Sequence, residues 1–142
     1  MSTWSVMNWR QNSGRSAITN RVPSVSTTGT PCVYQPKDGV PQVLVASNGH
    51  GLTGIDARSG KVVWEMAGLT MNPIPSPVAA NGMVYLMSGF RGNSLKAVTL
   101  ASAKGDITDT PAVAWTFDRD TPYVPSPLLY DGILYILKTN NG

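Results

Sequence analysis

The sequence contains a single cysteine and a single histidine in 142 residues. A lone Cys32 excludes an internal disulfide and a cysteine-based metal cage within these residues. With His50 as the sole imidazole, a histidine-rich zinc site is excluded, and a serine or cysteine triad would have no supporting motif around its base. We therefore expect no catalytic residue and no metal-ligand set here.

Charged residues and long apolar runs are also scarce. Charged side chains make up 13% of the chain, against roughly 25% in an average soluble domain. Eleven Lys and Arg against eight Asp and Glu give a net charge of +3, and the bases are scattered, so no nucleic-acid partner is indicated. No apolar run has the length of a membrane span, and the N-terminal MSTWSVMNWRQNSGR lacks the apolar core of a signal peptide.

Glycine and proline are abundant, at 14 and 11 residues, and they divide the chain into short segments that disfavour long helices. These segments recur. PSPVAANGMVYLMSG starts at Pro75 and PSPLLYDGILYILKTNNG at Pro125, 50 residues later, and Trp64 and Trp115 lie 51 residues apart. A looser copy covers about 31–46. Self-similarity at this period predicts a repeat architecture.

Each repeat reads as short strands of β-branched, aromatic and aliphatic residues bounded by turn residues. Asn81-Gly82 and Asp131-Gly132 favour tight hairpins. Asp56 is expected to accept backbone N–H groups, and Gly60 to adopt a left-handed conformation. A longer polar connection is predicted over 101–111. The predicted strands are 31–35, 42–47, 52–57, 61–66, 77–80, 83–88, 94–100, 112–117, 127–130 and 133–137.

Four-stranded sheets repeated every 40 to 50 residues are typical of the blades of a β-propeller. The segment LTGIDARSGKVVWEM resembles the repeat of the quinoprotein, or pyrroloquinoline-quinone (PQQ) type, propellers: a hydrophobic strand, Asp-Ala-x-Ser/Thr-Gly, a Lys, and a Trp four positions after the Gly. The matching residues are Leu52, Asp56, Ala57, Gly60, Lys61 and Trp64. A tryptophan-aspartate repeat fits less well, because Trp64 is not followed by Asp.

The resemblance implies an all-β fold, a partial β-propeller of about three four-stranded antiparallel blades. The blades would cover about 30–66, 76–117 and a truncated 126–142, and residues 1–29 would form the end of a preceding blade or a linker. Trp64 and Trp115 would fasten neighbouring blades, the Trp docking against the glycine-containing turn. Because propellers close with about four to eight blades, we expect a fragment of a longer protein, or a piece that completes its ring by oligomerising.

The same resemblance extends in architecture to the propeller lipoproteins of outer-membrane protein assembly. It implies a bacterial protein in a periplasmic or extracytoplasmic compartment, and a non-catalytic binding or assembly scaffold. Its partner would be a protein or the remaining blades, and no cofactor would bind within this segment. The loops over 47–51 and 88–93 would form the partner surface, with His50 as the ligand candidate. The alternative is part of a PQQ- and Ca²⁺-dependent alcohol or sugar dehydrogenase whose catalytic residues lie outside these residues.

Other reactive side chains have simpler interpretations. Cys32 lies in an apolar strand and is expected to be a buried, inert thiol. The carboxylates of Asp106, Asp109, Asp118 and Asp120 lack the spacing of a calcium loop and are expected in solvated loops.

Overall fold

The computed structural model describes residues 29–48 and 51–138, a part of the chain built from short β-strands joined by turns and loops. Within it, no helix is long and apolar enough to cross a bilayer. The strands are β1 (Cys32–Tyr34), β2 (Gln42–Ser47), β3 (Gly51–Asp56), β4 (Val62–Met66), β5 (Val78–Ala80), β6 (Met83–Ser88), β7 (Ser94–Thr99), β8 (Gly105–Asp106), β9 (Val113–Phe117), β10 (Leu128–Tyr130) and β11 (Ile133–Tyr135).

These strands form three sheets, ordered β1-β2-β3-β4-β8, β5-β6-β7-β9 and β10-β11. Neighbouring strands are antiparallel except for the parallel pair β4 and β8. The prediction of an all-β chain of antiparallel sheets is confirmed, and each predicted strand is present to within two residues at either end. The predicted four strands per unit occur in the second sheet, whereas the first sheet has a fifth.

Two-residue turns fix the β5-β6 and β10-β11 hairpins. Asn81 and Gly82 have φ values of 51° and 78°, and Asp131 and Gly132 have 48° and 74°. Positive φ at both central residues gives a turn whose twist matches that of the flanking strands. The hairpin prediction from these two dipeptides is therefore correct.

The first two sheets repeat the same local irregularity. Trp64 pairs with Gly54 and Trp115 with Ala97, and in both sheets the register shifts immediately after that pair. Consecutive units also contact each other at equivalent positions, since the backbone N–H of Ser76 donates to Ser126 Oγ at 2.9 Å, 50 residues along the chain. The sequence period is thus a period of the structure.

The main hydrophobic core lies between the first and second sheets. Directly paired residues share one face of a sheet, so Leu44, Gly54 and Trp64 project from the same face of the first sheet. That face meets Val84 and Val98 of the second. The buried cluster comprises Leu44, Ala46, Leu52, Trp64, Met66, Val84, Leu86, Val98, Leu100, Ala103, Ile107 and Ala112.

The connection over 101–111 differs from its prediction as a plain polar loop. It contributes β8, which pairs in parallel with β4, and it buries Ala103 and Ile107 in the core cluster. Polar residues dominate its composition, yet two apolar side chains at a spacing of four anchor it to the preceding unit.

Candidate binding surface

The two loops predicted to form a partner surface are linked through one segment of the connection between β4 and β5. Asn48, after β2, donates from Nδ2 to Asn72 Oδ1 at 2.9 Å, and Asn48 Oδ1 accepts from the Asn72 backbone N–H at 3.0 Å. The neighbouring Met71 forms an antiparallel bridge with Phe90 of the β6-β7 loop. The structure therefore brings the ends of both loops to one side of the sheets.

The β6-β7 loop is held in the same way by the next connection. The backbone N–H of Thr121 donates to Asn93 Oδ1 at 3.1 Å, as Asn72 does to Asn48 one unit earlier. Thr121 Oγ1 also donates to the Ser88 carbonyl at 2.8 Å and accepts from the Ser94 N–H at 3.2 Å. Because Thr121 is buried, these bonds fix the base of the loop.

Gly89 permits this close approach. A Cβ at this position would lie 2.6 Å from the carbonyl carbon of Pro122, well inside the roughly 3.5–4.0 Å of normal carbon contact. Any other residue would separate the β6-β7 loop from the connection that supports it.

The outer side of this region is apolar and cationic. Phe90 and Tyr123 stack with ring centroids 4.9 Å apart and planes inclined by 27°, and the Arg91 guanidinium lies 5.4 Å from the Phe90 centroid. Met71 and Val124 are each about half exposed. We call Met71, Phe90, Arg91, Tyr123 and Val124 the loop surface.

The loop surface offers a cation on a rigid aromatic support. Among the described residues, Arg91 has no hydrogen bond or ion pair, so its guanidinium donors are available to a carboxylate or a carbonyl. Stacked aromatic side chains supply large contact area with few rotatable bonds, and Arg and Tyr are among the residues that dominate binding energy at protein interfaces. The arrangement suits an apolar or acidic polypeptide segment.

The residues of the repeat motif lie elsewhere. Asp56 and Gly60 form the turn between β3 and β4, at the opposite end of the first sheet. Asp56 Oδ1 accepts the N–H groups of Arg58 at 2.8 Å and Ser59 at 2.9 Å, and these bonds lower the pKa of its carboxyl, first Ser59 and then Arg58. Gly60 has a φ of 71°. The turn has the geometry expected for these residues, which accounts for them structurally.

The two motif tryptophans have different surroundings. Trp64 is fully buried, its Nε1 donates to Gln42 Oε1 at 2.8 Å, and its ring lies against Gly54 in β3. Trp115 is 44% exposed and has its ring centroid 5.9 Å from that of Tyr85. The fastening role of both side chains between blades stays a prediction.

The remaining candidates do not join the loop surface. His50 lies outside the described residues. Cys32 is half-buried in β1, where burial raises the pKa of its thiol, and a backbone hydrogen bond from Ala79 opposes that shift. Met71, Phe90 and Val124 were not singled out by the sequence. The only feature of the sequence that could have pointed to them is that each lies within a few residues of a glycine or of a repeated Pro-Ser-Pro segment.

Two of the four predicted loop carboxylates, Asp106 and Asp120, have local partners. Asp120 pairs with Lys138, which lowers the pKa of its carboxyl. Asp106 Oδ1 accepts from the hydroxyl and the backbone N–H of Thr108, and these bonds lower its pKa as well. In the described ranges, no three His, Cys, Asp or Glu side chains come together as a metal site.

No family model matches this chain, and no curated protein is significantly similar to it.

Proposed function

We propose that this chain is a segment of a PQQ-like β-propeller that works as a non-catalytic binding or assembly scaffold in an extracytoplasmic compartment. Support for the propeller comes from the repeated sheets, the shared register shift beside Trp64 and Trp115, and the Ser76 to Ser126 contact at the repeat period. Support for the compartment comes only from the resemblance of the repeat motif.

The observation that carries the scaffold function is the loop surface. The first two units and the connections that follow them meet there through the Asn48–Asn72, Met71–Phe90 and Phe90–Tyr123 contacts. The surface formed at this junction is apolar, cationic and partly exposed, and Asn48, Asn93 and Thr121 beneath it form hydrogen bonds. In this proposal, a protein partner inserts an apolar side chain beside Phe90 and Tyr123 and places a carboxylate on Arg91.

Binding in this mode needs little rearrangement. The aromatic pair is already stacked, and the base of the β6-β7 loop is fixed by the buried Thr121. Ordering a mobile side chain on binding costs about 0.5–1.5 kcal/mol, so a preformed pair retains more of its contact energy. The scaffold acts by rigid presentation and carries out no reaction.

Site-specific photo-crosslinking tests this function. A crosslinking amino acid replaces Val124, an exposed residue of the loop surface, in one variant and Arg58, an exposed turn arginine at the far end of the first sheet, in the control. We expect one protein to crosslink at position 124 and not at 58. With that partner purified, the Phe90→Ala and Tyr123→Ala variants should each weaken binding about 30-fold or more, in the range of interface hot spots, whereas Arg58→Ala should leave the affinity unchanged.

Two results would contradict the proposal. One is equal crosslinking at positions 124 and 58, because a specific surface must distinguish them. The other is oxidation of an alcohol or a sugar by the protein with added PQQ and Ca²⁺, which would establish the dehydrogenase alternative.

A further inference from the structure

The methionines of the described part of the chain differ sharply in their exposure. Met66 and Met87 are fully buried. Met83 is half-buried at the start of β6, where its sulfur accepts a hydrogen bond from Thr99 Oγ1 at 3.4 Å. Met71, a member of the loop surface, is 53% exposed. A reagent dissolved in water therefore reaches Met71 before the other three.

The backbone around Met71 is fixed on both sides. The N–H of the preceding residue, Thr70, donates to Ser88 Oγ at 2.8 Å, and the following residue is held by the two hydrogen bonds to Asn48 described above. Met71 itself forms the antiparallel bridge with Phe90. The exposed side chain thus extends from an anchored backbone, so a chemical change at its sulfur alters the surface and leaves the fold in place.

Peroxides convert the thioether of methionine to a sulfoxide. A sulfur–oxygen bond forms as the oxygen–oxygen bond of hydrogen peroxide breaks; the sulfur loses two electrons, and the peroxide is reduced to water. The product is polar, and methionine sulfoxide reductases reverse the reaction. Beside Phe90, Tyr123 and Val124, the sulfoxide oxygen would have to lose its bound water whenever an apolar partner covered it, and burial of a polar group without a hydrogen bond is costly.

The other sulfur that peroxides attack is a poorer target. Cys32 is the one cysteine of the sequence; it is half-buried in β1, and burial raises the pKa of its thiol. Because the thiolate and not the thiol is the reactive form, Cys32 reacts slowly at neutral pH. The thioether of Met71 needs no deprotonation.

We propose that Met71 is a site of selective, reversible oxidation by peroxide, and that its sulfoxide weakens the binding of a partner protein to the loop surface. The site follows from the burial of the other methionines and from the anchored backbone at position 71. The effect on binding rests on the function proposed above. Oxidation and reduction of one sulfur switch the loop surface between an apolar and a polar state.

The first measurement tests the site and needs no partner. Hydrogen peroxide is added to the 142-residue chain, and tandem mass spectrometry of its proteolytic peptides assigns the added oxygen to individual methionines over time. Met71 should be oxidised about 10-fold faster or more than Met66 and Met87, because a buried sulfur reacts only after local opening of the structure. In urea the three rates should become equal, which shows that the fold sets the difference.

The second measurement tests the effect on binding, with the protein that crosslinks at position 124 as the probe. Peroxide treatment should weaken its binding about 10-fold, in line with the cost of burying one polar group, and a methionine sulfoxide reductase should restore it. The affinity of Met71→Leu should be the same before and after peroxide. Met83→Leu is the matched control and should lose affinity on oxidation as the parent chain does.

Three results would overturn the proposal. The first is oxidation of Met66 or Met87 as fast as that of Met71 in the folded chain. The second is an oxidised parent chain that binds as tightly as the reduced one, and the third is an equal loss of affinity in Met71→Leu. Absence of any protein crosslinked at position 124 would contradict the proposed function and with it the effect on binding, whereas the oxidation rates would still establish or exclude Met71 as the site.

Discussion

Replacing Gly54 by alanine should destabilise the protein through a clash with Trp64. The added Cβ would lie 2.8 Å from Trp64 Cζ2 and closer still to Cε2 and Nε1, against roughly 3.5–4.0 Å for normal contact. Gly54 does not have a left-handed φ, so its backbone accepts alanine and the cost is steric. The fully buried indole cannot withdraw without losing its hydrogen bond to Gln42.

The size of the effect follows from three contributions. Overpacking of a filled core costs typically about 1–3 kcal/mol, and loss of the indole hydrogen bond adds about 1 kcal/mol. Alanine in place of glycine in a strand raises the free energy of unfolding by about 0.5–1 kcal/mol, because it lowers the entropy of the unfolded chain. We expect a net loss of about 1–3 kcal/mol in the free energy of unfolding.

Urea unfolding followed by far-ultraviolet circular dichroism measures this loss, and a double-mutant cycle with Trp64→Leu assigns it. In the Trp64→Leu background, Gly54→Ala should cost little, because the smaller side chain leaves room for the methyl group. Ala97→Gly at the equivalent position of the second sheet is the control, with an expected loss of about 1–2 kcal/mol from the entropy of glycine and the loss of a buried methyl group. An equal cost of Gly54→Ala in both backgrounds would refute the clash with the indole.

Three further outcomes are expected. Thr121→Val should lower the free energy of unfolding by about 1–3 kcal/mol, because the buried hydroxyl bonds to Ser88 and Ser94 have no substitute; urea unfolding with no loss would contradict this. Asp56→Ala should be less stable than the parent at neutral pH, and the difference should disappear in acid. The lowered pKa of this carboxyl means that its contribution is complete above the unfolded value of about 3.9 and is lost as pH falls through the folded value; a difference that persists in acid would exclude the charge as its source. Cys32 should react with a disulfide reagent at neutral pH more slowly in the folded chain than in urea, because burial raises the thiol pKa, and an equal rate would contradict that shielding.

Much of the fold could be predicted because its local signals are strong. Short apolar runs between Gly, Asn, Asp and Pro determine the strands, and dipeptides such as Asn81-Gly82 determine the hairpins, so adjacent pairings followed directly. Strand β8 could not be found in this way. This strand consists only of Gly105 and Asp106, and both residues have low strand propensity. Its pairing with β4 joins residues 41 positions apart in the sequence.

The role of the candidate surface stays a prediction, and its composition could not be predicted from the sequence. The loop over 88–93 was expected to face a partner, and the structure brings it to Asn48 and Asn72 through Met71. The stacking of Phe90 on Tyr123 depends on the rotation and displacement between consecutive units. The repeat period in the sequence does not specify either of these quantities. The different exposure of Trp64 and Trp115 has a similar cause, since it depends on which segments cover each sheet.

Ile107 and its neighbours belong to the second unit but cover the first sheet. This arrangement affects the order in which the sheets can form during synthesis and the way in which the repeats can evolve. During translation, the first sheet cannot close around Trp64 until residue 108 has left the ribosome, well after its own last strand ends at Met66. Deletion of the second unit alone would remove the outer strand of the first sheet. Units joined in this way are inherited as pairs, and recombination between them should succeed only at boundaries that keep each sheet together with the connection that covers it.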